Sequence, residues 1–235
     1  MVSDPTTRAI QVWAPAGHGQ WPVVYALPGV SGHKSDIDLL GPALARQGVV
    51  VFASDYDPAA TSEVLIRDIE CGYRYTRHIA SDYGGDLSKP VTGIGFSAGA
   101  RYISALVIPD LGPSGSYSAC FTCPPAPNVL VGINGCYYSY QKLKLDFSTD
   151  LGTKDVDLHL ITGTKDDVCA TWQSQEAAKA LQSAGYRTTL LSIAGANHYT
   201  PVYHDVVQGK RTALPHDPAG DATVRAVLDA IHAAG

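Results

Sequence analysis

The sequence contains no run of about 18 or more apolar residues, so no segment is a candidate membrane-spanning helix. It has no basic excess either. Lys and Arg number 17 against 22 Asp and Glu, a formal net charge of −5, which argues against nucleic acid or anionic lipid as the main partner. No G-x-x-x-x-G-K or G-x-G-x-x-G phosphate loop occurs, so no nucleotide cofactor is implied. Met1-Val2-Ser3-Asp4-Pro5 is not a charged region leading into an apolar one; no signal peptide is expected, and the compartment stays open. No second Cys-x-x-Cys pair follows Cys120 and Cys123, which removes the usual zinc pattern.

What is present describes a globular chain. Hydrophobic residues make up 45% and charged residues 17% of 235 residues, enough for one domain with a sizeable core. No internal repeat or linker divides the chain, so a single domain over 1–235 is expected. Five cysteines, at 71, 120, 123, 136 and 169, are compatible with thiols in a reducing compartment or with one or two disulfides in an exported protein.

Continuous apolar runs at 22–27 (PVVYAL) and 49–54 (VVVFAS) read as buried strands, the first covered on both faces, and 91–96, 129–133, 158–162 and 188–193 read as further strands. An edge strand is expected at 9–13. Between the strands lie helical patterns at 36–47, 61–83, 172–183 and 221–233, the last with Asp221 as its N-cap. Strands and helices in alternation predict an α/β chain with a mostly parallel sheet and helices on both faces. Residues 109–128 and 199–220 read as long loops, of the kind that carry function.

The chemistry centres on Gly95-Phe96-Ser97-Ala98-Gly99, placed where a strand must turn sharply into a helix. Such a turn strains the serine backbone and lifts its hydroxyl above the sheet, and flanking glycines remove side chains that would clash there. A serine needs a base. His198 follows the last predicted strand of the parallel run and reaches the same sheet edge as Ser97; His204 and His216 are its rivals. The imidazole needs a carboxylate to set its tautomer. Asp166 lies just beyond strand 158–162 and is preferred to Asp167. Backbone amides of Ala98 and of Val30, in the turn Pro28-Gly29-Val30-Ser31-Gly32, are the candidate oxyanion donors. Tyr137 and Tyr138 are candidates for the substrate pocket, with packing as their alternative role. A metal site from His198, His204, Asp205, His216 and Asp217 lacks any ligand-spacing motif, and no metal or other cofactor is expected.

Together these residues resemble the α/β-hydrolase superfamily, in its carboxylesterase and dienelactone-hydrolase-like branch. The resemblance rests on Gly-Phe-Ser-Ala-Gly-Ala at 95–100, Gly-Thr-Lys-Asp at 163–166 and Gly-Ala-Asn-His at 195–198. It implies an α/β-hydrolase fold and a triad of Ser97, Asp166 and His198. Leu-Pro-Gly-Val-Ser-Gly at 27–32 stands where lipase-like relatives often carry His-Gly-Gly-Gly. A serine instead of a cysteine nucleophile argues against true dienelactone hydrolase activity. The short stretch between strands 129–133 and 158–162 leaves no room for a large helical cap. The expected activity is hydrolysis of a small or polymeric carboxylic ester through an acyl-enzyme. A peptidase, amidase or acyltransferase of the same fold, or a non-catalytic ligand-binding member, are the alternatives.

Overall fold

A computed structural model of the chain describes residues 10–107, 125–139 and 155–235. The predicted strands are present: β1 (Ile10–Trp13), β2 (Val23–Leu27), β3 (Val50–Ser54), β4 (Val91–Phe96), β5 (Val129–Ile133), β6 (Asp157–Gly163) and β7 (Thr188–Ile193). They form one seven-stranded sheet in the order β1-β3-β2-β4-β5-β6-β7. All neighbours are parallel except β1, which runs antiparallel to β3 at the edge.

The strand composition explains the layers. Every residue of β2, β3, β4 and β5 is buried, as expected for strands covered on both faces. Successive side chains point to opposite faces. Val23, Tyr25 and Leu27 therefore join one core, and Val24 and Ala26 join the other. The first core is closed by α2 (Ser62–Ile79) and α4 (Trp172–Ser183). In α2, Leu65, Ile66, Ile69 and Tyr73 recur at helical spacing, and Thr61 caps the start by accepting from the Val64 amide. The second core is closed by α1 (Leu40–Ala45) and α5 (Pro218–Ala234). A short helix, α3 (Ala98–Tyr102), starts directly after β4.

Four local expectations are corrected. The helix expected over 36–47 is a 3-10 turn at Lys34–Ile37 followed by α1, where Pro42 sits in the first turn. The helix expected over 61–83 ends as α-helix at Ile79 and finishes as a 3-10 turn to Tyr83. The closing helix begins at Pro218, with Asp217 as its cap; the Asp217 carboxylate accepts from the Ala219 amide at 2.8 Å. Asp221 instead accepts from the Tyr203 hydroxyl. Finally, 199–220 is not one long loop. It holds an antiparallel hairpin, β8 (His204–Val207) and β9 (Lys210–Ala213). Gln208 and Gly209 both have positive φ, 51° and 73°, the pairing a two-residue hairpin turn requires. The hairpin lacks apolar alternation because β9 is exposed throughout, so periodicity did not reveal it. The loop expected at 109–128 lies largely outside the described residues, as do Cys120 and Cys123.

The chain crosses the sheet between β2 and β4. β3 lies to one side of β2 and β4 to the other, so a crevice opens at the carboxyl ends of β2 and β4. The turn after β2 and the elbow after β4 both face that crevice.

Candidate active site

Ser97 sits between β4 and α3 with φ 56° and ψ −121°, a region an L-residue adopts only under constraint. Its backbone is held from two sides: its N–H donates to the Ile133 carbonyl at 2.8 Å, and its carbonyl accepts from the Cys136 amide at 3.2 Å. Gly95 and Gly99 pack backbone to backbone across the elbow, and Gly99 lies against the Pro28 carbonyl, so neither position accommodates a Cβ.

The structure brings Ser97, His198 and Asp166 together. His198 Nε2 lies 2.9 Å from Ser97 Oγ, and His198 Nδ1 lies 2.9 Å from Asp166 Oδ2. All three residues are buried, the Asp166 side chain completely. Asp166 Oδ1 accepts from the Val168 and Cys169 amides at 2.9 and 2.8 Å, which fixes the carboxylate orientation. Phe96 and Tyr199 pack against the imidazole with ring centroids 5.1 and 4.9 Å away.

The rivals are elsewhere. Asp167 and His216 are exposed. His204 Nε2 pairs with Asp38 at 2.9 Å, and Asp205 accepts from the Asn197 side chain at 2.8 Å. Burial holds the His204 imidazole below its ordinary pKa, against the pull of Asp38. Among the described residues, no three His, Cys, Asp or Glu side chains are grouped to hold a metal ion.

Val30 lies in the turn after β2, against the elbow. A Cβ on its neighbour Gly29 would stand 3.1 Å from Ser97 Cβ. Ala98 occupies the first turn of α3, where amides have no intrahelical carbonyl. Among the described residues, no backbone carbonyl accepts from the Val30 or Ala98 amide. Two buried groups that sequence reasoning missed shape this turn. Asp36 Oδ2 accepts from the Gly29 amide at 2.8 Å and from the Ser31 hydroxyl at 2.7 Å, while its Oδ1 pairs with Arg211 from the hairpin. The Tyr56 hydroxyl donates to the Gly29 carbonyl. Burial raises the Tyr56 pKa far above the phenol range, so it stays a donor.

Two further features were also missed. Asn134, fully buried with φ 45°, donates through Nδ2 to the Asn197 and His198 carbonyls at 2.9 and 2.8 Å. Its Oδ1 accepts from the Gly163 amide at 2.7 Å. One side chain thus ties the histidine loop to the end of β6. The second feature is a disulfide between Cys136 and Cys169, with Cα atoms 4.8 Å apart. Its sulfurs lie 3.5 and 3.8 Å from Ser97 Oγ. This closes a ring: Ser97 carbonyl to Cys136 amide, disulfide to Cys169, Cys169 amide to Asp166, Asp166 to His198, and His198 back to Ser97. Cys71 is disulfide-bonded as well. Of the two arrangements left open for the cysteines, the structure contains disulfides.

The two tyrosines separate. Tyr137 is 2% exposed and packs into the core, its ring over Gly132 and Gly135, where the missing Cβ atoms make room. This placement is the packing role given above as its alternative. Tyr138 points outward and stacks on Trp172.

No protein-family model matches the sequence, and no curated protein matches it. Solved structures do. Thermogutta terrifontis esterase 2 phosphoramylated by tabun superposes with a TM-score of 0.69 at 17% identity, over 96% of this chain and 89% of that one. The butyrate-bound form of the same esterase gives 0.68 at 17% identity, with the same coverage. A bifunctional GH43-CE protein of Bacteroides eggerthii gives 0.66 at 17% identity, over 94% of this chain and 36% of that one. The likeness at these identities is one of fold: with its mostly parallel seven-stranded sheet and helices on both faces, the chain has the α/β-hydrolase fold.

Proposed function

We propose that this protein is a serine hydrolase of carboxylic esters, with Ser97 as nucleophile, His198 as base and Asp166 as the acid that orients it. The observation that carries this is the continuous line Ser97 Oγ, His198 Nε2, His198 Nδ1, Asp166 Oδ2, both gaps being 2.9 Å within a buried setting. Hydrogen-bond distance at both ends is what general-base activation of a hydroxyl requires. His198 takes the hydroxyl proton as Ser97 Oγ bonds to the ester carbonyl carbon. The carbonyl oxygen becomes an oxyanion facing the Ala98 and Val30 amides. Collapse expels the alcohol, which receives the proton from His198 and leaves an acyl-enzyme. Water then loses a proton to His198, attacks the acyl carbon and releases the carboxylic acid and Ser97.

The structural neighbours favour esters over other acyl compounds. One of them is an esterase solved with butyrate bound and solved again after reaction with tabun. The test is intact-mass spectrometry after fluorophosphonate treatment, together with turnover of p-nitrophenyl acetate. Wild type is expected to gain one adduct and to turn over the ester; Ser97→Ala is expected to do neither. A folded wild-type protein that takes no adduct would refute the assignment and favour a non-catalytic binding role. An anilide of the same acyl group, run alongside, separates esterase from amidase activity.

A further inference from the structure

The disulfide beside Ser97 continues outward into a pair of aromatic rings. Tyr138 follows Cys136 by two residues, and Trp172 follows Cys169 by three. Two residues span at most about 7 Å and three about 10 Å, so both rings are carried on the two segments that leave the disulfide beside Ser97. Their centroids are 5.6 Å apart with planes inclined by 20°, a stacked arrangement. Yet Tyr138 is 38% and Trp172 53% exposed. Aromatic side chains of this size normally bury most of their surface.

Exposed rings usually sit on loops free to move. Here the backbone beneath them is fastened on every side. Gln173, itself 3% exposed, accepts through Oε1 from the Tyr138 and Ser139 amides at 2.9 and 3.1 Å. Its Nε2 donates to Ser139 Oγ at 2.7 Å. Arg101, also 3% exposed, donates through Nη1 to the Tyr137 and Ser139 carbonyls at 3.0 and 3.3 Å. Burying a guanidinium is costly, and burial pulls the Arg101 pKa below its ordinary value. The Cys136–Cys169 bond joins the same two segments covalently. A buried cation, a buried amide and a disulfide thus hold two solvent-facing rings in fixed register. Packing does not account for all of this, because Trp172 keeps 53% and Tyr138 38% of its surface in solvent. Recognition does: rigid aromatic faces bind with little loss of side-chain entropy.

The structure assigns Tyr138 and Trp172 as a ring-binding subsite, and we infer that the substrates are esters carrying a planar aromatic ring on the acyl or the alcohol side. This rests on the ester-hydrolase reading above and names its substrate class. A flat π-face offers offset stacking to an aromatic ring, which a saturated ring of equal size cannot match.

The experiment compares two matched pairs: benzyl acetate against cyclohexylmethyl acetate, and methyl benzoate against methyl cyclohexanecarboxylate. Each pair differs in ring planarity at nearly constant size. Wild type is expected to prefer the aromatic member of at least one pair in kcat/KM. In Trp172→Ala that preference falls by about twofold to tenfold, the worth of one stacking contact, and Trp172→Phe restores part of it. The pair that responds identifies the side carrying the ring. Preferences equal in wild type and Trp172→Ala for both pairs would overturn the subsite. A direct binding measurement keeps this apart from the hydrolase reading. Ligand-observed NMR of benzyl acetate and methyl benzoate is run with Ser97→Ala and with Ser97→Ala/Trp172→Ala. Binding of either ester that Trp172→Ala weakens supports the subsite even if wild type hydrolyses no ester. Binding unaffected by Trp172→Ala, or no binding of either ester, overturns it.

Discussion

Replacing Asn134 should unlatch the histidine loop from the sheet, and the size of the effect follows from its bonds. Asn134→Gly keeps the positive φ without strain but removes three hydrogen bonds: two to the Asn197 and His198 carbonyls and one from the Gly163 amide. Each buried group left without its partner costs about 1–3 kcal/mol. Water entering the vacated space offsets part of this, so a total loss of about 3–5 kcal/mol is expected. Asn134→Ala should cost about 1 kcal/mol more than Asn134→Gly, because a Cβ at φ 45° is strained. The difference between the two variants isolates the backbone effect, since both lose the same bonds. Urea unfolding measures stability, and turnover of p-nitrophenyl acetate measures function. Displacing His198 by about 1 Å should lower kcat about 100-fold. A stability loss below about 1 kcal/mol in Asn134→Gly with unchanged kcat would show that the side chain does not hold the loop.

Two other perturbations follow from the same geometry. Cys136→Ala/Cys169→Ala opens a loop with a sequence separation of 33, which by chain entropy should cost about 3.7 kcal/mol. Because both cysteines are fully buried, a mild reductant should leave the native protein oxidised, and alkylation with mass readout should find these thiols only after unfolding. For pH, His159 and His204 are both held below the ordinary imidazole pKa, chiefly by burial. The unfolded chain binds those protons near pH 6.5 and the folded chain only lower. Stability from these groups is therefore full above about pH 6.5 and is lost as pH falls through their folded values. Tm should fall between pH 7.5 and 5.5, and His159→Gln/His204→Gln should flatten the slope; an unchanged slope would remove these two groups from the explanation.

Much of the fold was legible because its signals are local. Strands buried on both faces need continuous apolar runs, and 22–27 and 49–54 supply them. The elbow was legible for the same reason: a serine between glycines at a strand-to-helix junction is a constraint confined to five residues. The hairpin at 204–213 was not, since its strands bury too little to impose a pattern. Nor was the separation of the two tyrosines, which depends on Gly132 and Gly135 making room for one ring and on Trp172 meeting the other.

By itself the sequence determined the alternation of strands and helices, the place of Ser97 and the chain order of the candidate acid and base, because backbone sterics and burial periodicity act over a few residues. The tertiary structure alone decided which carboxylate and which imidazole meet the serine. It also decided that Asn134 latches a loop 63 and 64 residues away, and that Cys136 joins Cys169 beside the hydroxyl. Those pairings depend on the order in which parallel strands sit side by side in the sheet, and no local pattern of residues encodes that order.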